Sequence, residues 1–233
     1  MLTESRPARL HRAPAVSDAS KVAGLRLWGG VLLGLFVVLA GLTMAKAFKS
    51  GDQSIDDSLN RFALKNSGIT SLAKVFADLG QPTVALGVGL LAAVAFYLLK
   101  LRNSAYFAAA SVIGAYGIAT VAKKAVDRKR PVWDAAHTLV TETGKSFPSG
   151  HSVGTTALVA VLILAAVPLL AAAALRRVLV VLLVLFAAGM VVSRPILGVH
   201  FPTDVLAGAF LGVGWTLVCA SVLRPWQDRA SAS

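Results

Sequence analysis

Long apolar runs without a charged residue are the feature of this sequence that most limits how it can fold. A helix needs about 20 apolar residues to cross the hydrocarbon core of a bilayer, and lipid offers no hydrogen-bond partners to irregular backbone. The chain is 56% hydrophobic and only 15% charged, which is too apolar for an ordinary soluble domain. The sequence therefore predicts an all-α integral membrane bundle.

The apolar runs predict six transmembrane helices and divide the rest of the chain into tails and connections. We predict the spans at about 27–45, 79–99, 104–122, 152–168 (or as far as 175), 178–192 and 205–223. Short basic stretches, Lys100 to Asn103 and Arg176-Arg177, predict tight hairpins after the second and fourth spans. Residues 1–26 are predicted to be a flexible cytoplasmic tail, 27–223 the membrane domain, and 224–233 a second cytoplasmic tail.

The polar segment 46–78 carries apolar residues at roughly helical spacing, which is typical of a helix on the membrane surface. Such a helix could act as a lid or guide for a membrane-bound ligand and could select among headgroups. A connector packed outside the membrane explains the pattern equally well. The apolar residues concerned are Leu59, Phe62, Ala63, Ile69, Leu72, Val75 and Phe76.

The net charge of +12 suggests anionic partners. Lys and Arg lie at the ends of the apolar runs and in connections, and no nucleic-acid-binding module is recognisable, so phosphate and anionic headgroups are better partners than nucleic acid. The tails and hairpins are basic with few acids, whereas the opposite side mixes both charges. Cytoplasmic loops of membrane proteins are enriched in Lys and Arg, so we expect both termini in the cytoplasm and the opposite, extracytoplasmic face to carry the unusual polar residues.

Counting the crossings brings three polar segments to that one face of the membrane. They follow the third span, precede the fourth span, and connect the fifth span to the sixth. In sequence they are the stretch from Lys123 to Arg130-Pro131, the stretch Phe147-Pro-Ser-Gly-His-Ser152, and the stretch 193–204.

The second segment stands directly before a span, where the first N–H groups of a helix have no intrahelical partner and bind anions. Gly150 lets the backbone approach a phosphate oxygen, and Ser149 can cap the helix or donate to a ligand. His151 follows in the first turn. Taken alone, the segment is equally compatible with an ordinary capping turn.

In the third segment, His200 and Asp204 are four residues apart, close enough for the carboxylate to reach an imidazole nitrogen. Such a pair fixes the tautomer of a nucleophilic histidine and supports the imidazolium that forms on attack. Arg194 precedes them at the membrane edge, where ionisable groups are costly unless they are paired or used. A lone histidine beside a span would as readily be structural.

Arg194 and Arg130 supply planar, permanently charged forks that suit phosphate oxygens, and Lys123 supplies a compact positive charge. Three cations suit a phosphate dianion. The neighbouring Lys124, Arg128 and Lys129 are expected to face water or headgroups.

Together these residues resemble the three-part signature of the type 2 phosphatidic acid phosphatase superfamily, which also includes the vanadium haloperoxidases. The parts are Lys-x6-Arg-Pro at Lys123, Pro-Ser-Gly-His at Pro148, and Ser-Arg-x5-His-x3-Asp at Ser193. Each motif alone has limited specificity, but all three in order on one face are highly specific. Pro195-Ile196 stands where relatives often have an aliphatic-aromatic pair, and it leaves every signature position intact.

The resemblance implies a two-step, metal-independent reaction with no cofactor. His200 would attack phosphorus and form a phosphohistidine, with Asp204 holding the ring, and water would then release phosphate. His151 would protonate the leaving oxygen. The charge of the transferring group would be stabilised by a set of phosphate-binding residues: Lys123, Arg130, Ser149, Gly150 and Arg194.

The sequence thus predicts a membrane lipid phosphatase, since the site lies at a membrane face. Phosphatidate, phosphatidylglycerol phosphate and undecaprenyl diphosphate are all candidate substrates. A phosphotransferase with the same intermediate is one alternative, and an inert lipid-phosphate binding or transport protein is another. The sequence leaves the oligomeric state open.

Overall fold

The computed structural model describes residues 18–230, which form helices and connections. A π-helical turn (Leu162–Ala166) and a 3-10 turn (Val167–Leu169) extend the sixth α-helix. In chain order the α-helices are α1 (Asp18–Met44), α2 (Lys49–Lys65), α3 (Ser67–Leu79), α4 (Pro82–Leu98), α5 (Arg102–Val126), α6 (Gly150–Val161), α7 (Ala173–Ile196), α8 (Pro202–Leu223) and α9 (Gln227–Ala230).

Within the described residues, five helices are long and apolar enough to cross a membrane, and α3 with α4 makes a sixth candidate that is bent by 45°. The prediction of an all-α membrane bundle is confirmed. The second span begins at Pro82 rather than residue 79, because the chain breaks at Gly80-Gln81 and Pro82 suits the first turn of a new helix. The hairpin after α6 occupies 170–172, so the prediction that Arg176-Arg177 forms it is wrong: helix α7 begins at Ala173 and contains both arginines near its start.

Helices α6 and α8 form the centre of the bundle. In the most apolar stretch of each, 56% of the residues are buried, against 6% in the corresponding stretch of α7. Close approach of α6 to α8 depends on a small residue at the site end of α8. A Cβ atom added to Gly208 would lie 2.7 Å from the carbonyl oxygen of Ser149. The absence of a side chain at Gly208 therefore lets the first turn of α6 pack directly on α8.

At the opposite end of the bundle, the first turn of α1 meets the segment after α8. The Asp18 carboxylate accepts hydrogen bonds from Trp226 and Arg224, and the Lys21 ammonium lies 3.9 Å from the centre of the Trp226 ring. These contacts hold α1 in helical form from Asp18 onwards. The expectation of a flexible tail is therefore wrong for residues 18–26, and residues 1–17 lie outside the described residues.

Helices α2 and α3 cover the site end of the bundle. Polar side chains of α2 face inwards, and several apolar side chains of both helices are exposed. The inner side of α2 carries Asp52, Asp56 and Asn60, all of which are buried. Helix α3 packs on α7, with the Phe76 ring 5.8 Å from that of Phe186. The pair packs on the bundle through polar and small residues, as expected of a packed connector, and it also exposes apolar side chains, as expected of a helix on the membrane surface. The exposed apolar residues are Ile55, Phe62, Ile69, Leu72 and Val75.

Candidate active site

The three polar segments meet at one end of the bundle and are joined by backbone and side-chain hydrogen bonds. The Ser149 N–H donates to the carbonyl of Asp204 at 3.0 Å, which ties the start of α6 to α8. The Arg130 guanidinium donates to the carbonyl of Val199 at 2.8 Å. Residues that are far apart in sequence thereby surround one small volume at the membrane face.

The turn between α7 and α8 sets the direction of His200. Gly198 has φ +69°, a left-handed conformation that glycine adopts without steric cost. Its carbonyl accepts a hydrogen bond of 2.7 Å from the Trp133 indole, and a Cβ atom at Gly198 would lie 2.6 Å from the same indole nitrogen. Backbone conformation and close packing therefore both require glycine two residues before His200.

His200 is buried, with 1% of its surface exposed, and its Nε2 atom lies 2.9 Å from Nη1 of Arg130. Because a guanidinium can only donate, Nε2 must present its lone pair and the proton of the neutral ring must be on Nδ1. Nε2 is thus in the protonation state that a nucleophile needs.

Asp204 orients His200 through an intermediary rather than by direct contact. The Asp204 Oδ2 to His200 Nδ1 distance is 3.7 Å, longer than a hydrogen bond. The Ser146 hydroxyl lies between them, 2.5 Å from Oδ2 and 3.3 Å from Nδ1. Ser146 can donate to the carboxylate while accepting from Nδ1–H. The sequence did not single out Ser146, because a serine in a connection carries no periodic or motif signal.

Burial lowers the pKa of His200 to about 4, against an effect of Asp204 that raises it. Arg130 and Arg194 lower the pKa further, because each places a positive charge near the ring. The imidazole is therefore neutral near pH 7.

Arg130 and Arg194 converge on the carboxylate of Glu142. Arg130 Nη1 lies 2.9 Å from Glu142 Oε2, and Arg194 Nη2 donates to Oε1. Arg194 is only 1% exposed, and its Nε has no hydrogen-bond acceptor among residues 18–230. The sequence did not single out Glu142, which lies in the long connection between α5 and α6. Its carboxylate occupies the place between two guanidinium forks that an anionic ligand would take.

The environment of Glu142 keeps it ionised. Burial raises its pKa, but the permanent positive charges of Arg194 and Arg130 lower it and, with the nearby imidazoles, hold it below the usual value. The carboxylate thus balances part of the positive charge of the site.

The last turn of α5 and the first turn of α6 supply the remaining expected residues. The Lys123 ammonium donates to the carbonyls of Lys145 at 2.9 Å and Pro148 at 2.8 Å. The Ser149 hydroxyl caps the helix by accepting from the N–H of Ser152 at 3.4 Å. Gly150 begins the helix beside the Lys123 side chain, and the half-buried His151 interacts electrostatically with Arg194, Glu142 and His200.

Arg128 lies inside the site region, so the expectation that it faces water or headgroups is wrong. It donates to Asp204 Oδ1 at 2.8 Å and to Asp52 Oδ2 at 2.7 Å, and its guanidinium lies 4.0 Å from the Phe201 ring centre. The reason is the end of α5, where Asp127 adopts a left-handed conformation with φ 50° and turns the chain back towards α8. Lys124 and Lys129 are exposed, as expected.

A cavity of about 280 Å³ runs from the site into the bundle between α4, α5 and α6. Lys123 and Gly150 line its polar end, together with Pro82. Apolar residues line the rest: Ala85, Leu86, Val112, Ala119, Val153 and Ala157. We call this cavity the apolar groove, and its polar end adjoins the candidate site.

Comparison with known proteins gives matches in both sequence and fold. A sequence profile of the PAP2 superfamily, the type 2 phosphatidic acid phosphatases, matches residues 104–228, which include all three motifs. A decaprenylphosphoryl-5-phosphoribose phosphatase of Mycobacterium tuberculosis is 32% identical over 171 residues, covering 72% of this chain and 89% of that relative. Phosphatidylglycerophosphatase B of Bacillus subtilis is 37% identical over 94 residues, covering 40% of this chain and 45% of that relative.

A solved structure has the same fold. It is a transmembrane PAP2-type phosphatidylglycerolphosphate phosphatase from Bacillus subtilis, with a TM-score of 0.66 and 23% sequence identity. The match covers 86% of this chain and 96% of that one.

Proposed function

This chain belongs to the PAP2 superfamily and is a membrane lipid phosphatase, and we propose that His200 is its nucleophile. The observation that carries the proposal is the position of the His200 Nε2 atom, 2.9 Å from Nη1 of Arg130, a group that can only donate, and near the buried guanidinium of Arg194. A phosphate that displaces Glu142 from the two arginines would bring its phosphorus next to that lone pair. The Nε of Arg194, which lacks an acceptor in the described chain, would gain one.

In the proposed first step, Nε2 of His200 forms a bond to phosphorus as the bond to the leaving lipid oxygen breaks. His151 donates a proton to that oxygen. Arg130, which now donates to Nε2, would donate to a phosphoryl oxygen, and together with Arg194 and Lys123 it would stabilise the negative charge that spreads over the transferring group. Ser149 and Gly150 would contribute the donors of the α6 N-terminus.

In the proposed second step, water attacks the phosphohistidine, gives its proton to His151, and releases phosphate from Nε2. Through both steps Nδ1 keeps its proton and the ring needs a negative partner while it is phosphorylated. Asp204 supplies that charge, with the Ser146 hydroxyl as the bridge.

We propose that the substrate is a phosphomonoester on a lipid whose chain lies in the apolar groove. Both relatives are named for lipids that carry a terminal phosphate, decaprenylphosphoryl-5-phosphoribose and phosphatidylglycerophosphate. The groove begins at Lys123 and Gly150, so a lipid with its phosphate at the arginines could extend along it. Turnover of these two lipids, compared with phosphatidate and undecaprenyl diphosphate, tests the choice; a diphosphate turned over fastest would contradict it.

Replacement of His200 tests the nucleophile. We expect His200→Ala to lower phosphate release from a lipid substrate in detergent by at least ~10³-fold, as for other catalytic nucleophiles. His137→Ala is the matched control, because the His137 side chain is exposed, is paired with Asp134 and lies outside the candidate site. Wild-type turnover by His200→Ala would overturn the assignment. Alkaline quenching of a labelled reaction should also trap phosphate on wild-type protein and not on the variant.

Two further measurements test the reaction class. Activity should survive excess EDTA, because fixed cations surround the site, and loss of activity on chelation would contradict a metal-independent reaction. Inorganic phosphate should account for the phosphoryl group lost by the substrate, since water is the proposed acceptor. Transfer of label to an added alcohol in place of phosphate release would favour the phosphotransferase alternative.

We propose that both termini face the cytoplasm and that the site faces outwards. The end of the bundle opposite the site carries Lys100, Arg102, Arg176 and Arg177, in agreement with the basic character of cytoplasmic connections. Residues 27–223 would then form one membrane phosphatase domain.

A further inference from the structure

We propose that Arg128 and Asp52 are positioning residues, through which the surface helix α2 holds Asp204 in the orientation that His200 needs. The inference rests on the proposed role of His200 and assigns a contribution to catalysis to two residues that are not signature positions: Arg128 occupies an unspecified position within the first motif, and Asp52 lies outside all three. Neither residue is proposed to touch the substrate.

The Asp204 carboxylate is completely buried, and its two oxygens have different partners. Oδ2 accepts from the Ser146 hydroxyl at 2.5 Å and from the Phe201 N–H at 3.0 Å, and it is the oxygen that faces His200. Oδ1 accepts from Arg128 at 2.8 Å. Arg128 is therefore the charged partner that fixes the rotation of the carboxylate and directs Oδ2 towards the ring.

Arg128 is in turn fixed by Asp52. One nitrogen of its fork binds Asp204 and the other binds Asp52 Oδ2 at 2.7 Å, so each carboxylate engages a different edge of the guanidinium. A planar fork held at both nitrogens can adopt only one orientation. Asp52 therefore fixes the orientation of the Arg128 guanidinium relative to Asp204.

Asp52 also joins α2 to the first turn of α8. It is 3% exposed and accepts from the Thr203 N–H at 3.2 Å and from the Thr203 hydroxyl at 2.5 Å. A carboxylate that receives free N–H groups at a helix N-terminus is stabilised by the helix dipole. The contact spans 151 residues of sequence and connects the surface helix to the residue immediately before Asp204.

Arg128 affects the pKa of His200 as well as the orientation of Asp204. With Arg128 present, two carboxylates share one cation, and the field of Asp204 at His200 is partly cancelled. Removal of that cation would strengthen the attraction of Asp204 for the imidazolium and raise the pKa of His200. The ionisable groups near His200 come from four parts of the structure: His151 from α6, Arg194 from α7, Asp204 from α8, and Arg130 and Glu142 from the connection between α5 and α6.

The test compares Arg128→Gln and Asp52→Asn with controls on the same two elements. Lys124→Gln removes an exposed cation near the end of α5, and Asp57→Asn removes a carboxylate of α2 whose side-chain partner is Gln53. With a lipid substrate in detergent, we expect both test variants to lower kcat by about 10- to 100-fold with KM nearly unchanged, the range typical of residues that orient a catalytic group without touching the substrate. The controls should keep wild-type kcat.

The pH profile separates positioning from a merely structural role. The acid limb of the kcat profile reports protonation of His200, and in Arg128→Gln it should move to higher pH. Arg128→Lys, which keeps the charge but not the fork, should keep the wild-type limb while kcat stays low. A fall in kcat of Arg128→Gln with no movement of the limb would overturn the proposal, as would wild-type kcat in both test variants.

Folding and the proposed nucleophile are checked separately. If Arg128→Gln does not fold, the nearly isosteric Asp52→Asn serves as the test. In the double variant Asp52→Asn, Arg128→Lys, kcat should fall by a smaller factor than the product of the factors for the two single variants, because both substitutions act through the same contact. Independent, multiplicative losses would overturn the proposal. Loss of activity in His200→Ala together with normal Arg128 and Asp52 variants would refute only the positioning role.

Discussion

At the scale of single residues, the charges of the site are nearly all held by partners within the described chain. Glu142 is paired with Arg130 and Arg194, and Arg128 divides its fork between Asp52 and Asp204. Buried charges without partners are strongly destabilising, so this pairing is what allows so many ionised groups to lie at a membrane face. Each pair also predicts what its removal should do.

Glu142→Gln should strengthen the binding of phosphate-like anions. The substitution keeps the shape of the side chain and removes the negative charge that competes for Arg130 and Arg194, so we expect the inhibition constant of inorganic phosphate or vanadate to fall by about tenfold, or ~1.4 kcal/mol. Glu142→Asp and Asp134→Asn are the controls, because one keeps the charge and the other alters an exposed acid of the same connection. Unchanged or weaker inhibition would show that the carboxylate does not compete with phosphate.

Asp56 should make stability depend on pH. Burial raises its pKa to about 8, with further increases from Asp204, Asp52 and Asp57 against a decrease from Arg128, and neither carboxylate oxygen has a hydrogen-bond partner among the described residues. A folded-state pKa above the unfolded value means that the folded protein keeps a proton that the unfolded chain loses. The contribution of Asp56 to the free energy of unfolding is therefore most favourable below pH ~4 and is lost as the pH rises to about 8.

The measurement is the melting temperature of Asp56→Asn and wild type in detergent across that pH range. The amide cannot ionise, so the variant should melt higher than wild type at pH 8 to 9, and its advantage should shrink steadily towards pH 4. A difference in melting temperature that does not vary with pH would contradict ionisation of Asp56 as the cause.

At the scale of helices, the position of the site depends on how closely α8 approaches α6. Gly208 lies one turn after Asp204, and its lack of a side chain lets the carbonyl of Ser149 approach the α8 backbone. The same contact region carries the hydrogen bond from the Ser149 N–H to the Asp204 carbonyl. Separation of these helices would therefore move the first turn of α6 away from His200, the proposed nucleophile.

Gly208→Ala should reduce both stability and kcat. The new Cβ atom would lie 2.7 Å from backbone, which cannot yield as a flexible side chain can, and overpacking of this kind costs about 1 to 3 kcal/mol. Gly87→Ala in α4 is the control, because nothing lies within 4 Å of its added Cβ atom. Thermal melting and turnover of the two variants provide the comparison, and equal behaviour would contradict the role of close helix approach.

The helices could be predicted from the sequence far better than the contacts of the site. A helix that crosses lipid must be apolar along its length, so each span can be recognised in the sequence. Counting the spans then shows that His200, Arg194 and Lys123 lie at the same face of the membrane. Contacts that depend on folded geometry leave no such trace. Ser146 meets His200 across 54 residues, Glu142 meets Arg194 across 52, and Asp52 meets Thr203 across 151. Ordinary polar residues in loops or on a surface helix acquire these partners only when the bundle closes.

At the scale of the whole molecule, the bundle has two chemically different ends. One end collects the site and α2, and the other joins Asp18 to the segment after α8 and caps the N-terminus of α5 with Asp228. The basic residues at and beside the two short hairpins, Lys100, Arg102, Arg176 and Arg177, lie at this second end. The proposed orientation therefore assigns the catalytic end to the outside of the cell membrane.

Cysteine labelling tests that orientation. The chain has one cysteine, Cys219, which is buried, so single reporter cysteines can be introduced in a Cys219→Ser background. With a membrane-impermeant maleimide on intact cells, Lys129→Cys at the site end should be labelled, whereas Arg102→Cys at the start of α5 should react only after lysis. The reverse pattern would place the site in the cytoplasm.

The carboxylate of Glu142 between two arginines changes what substrate binding must accomplish. Phosphate entry there is an exchange of one anion for another, so the electrostatic gain of the new contacts is largely offset by those that are lost. The net affinity must come from elsewhere, and transfer of a hydrocarbon chain into the apolar groove contributes about 25 cal/mol for each Å² buried. Water-soluble phosphate esters bring the charge without the chain. Discrimination in favour of lipids would then follow from the exchange itself, without any contact that recognises a particular headgroup.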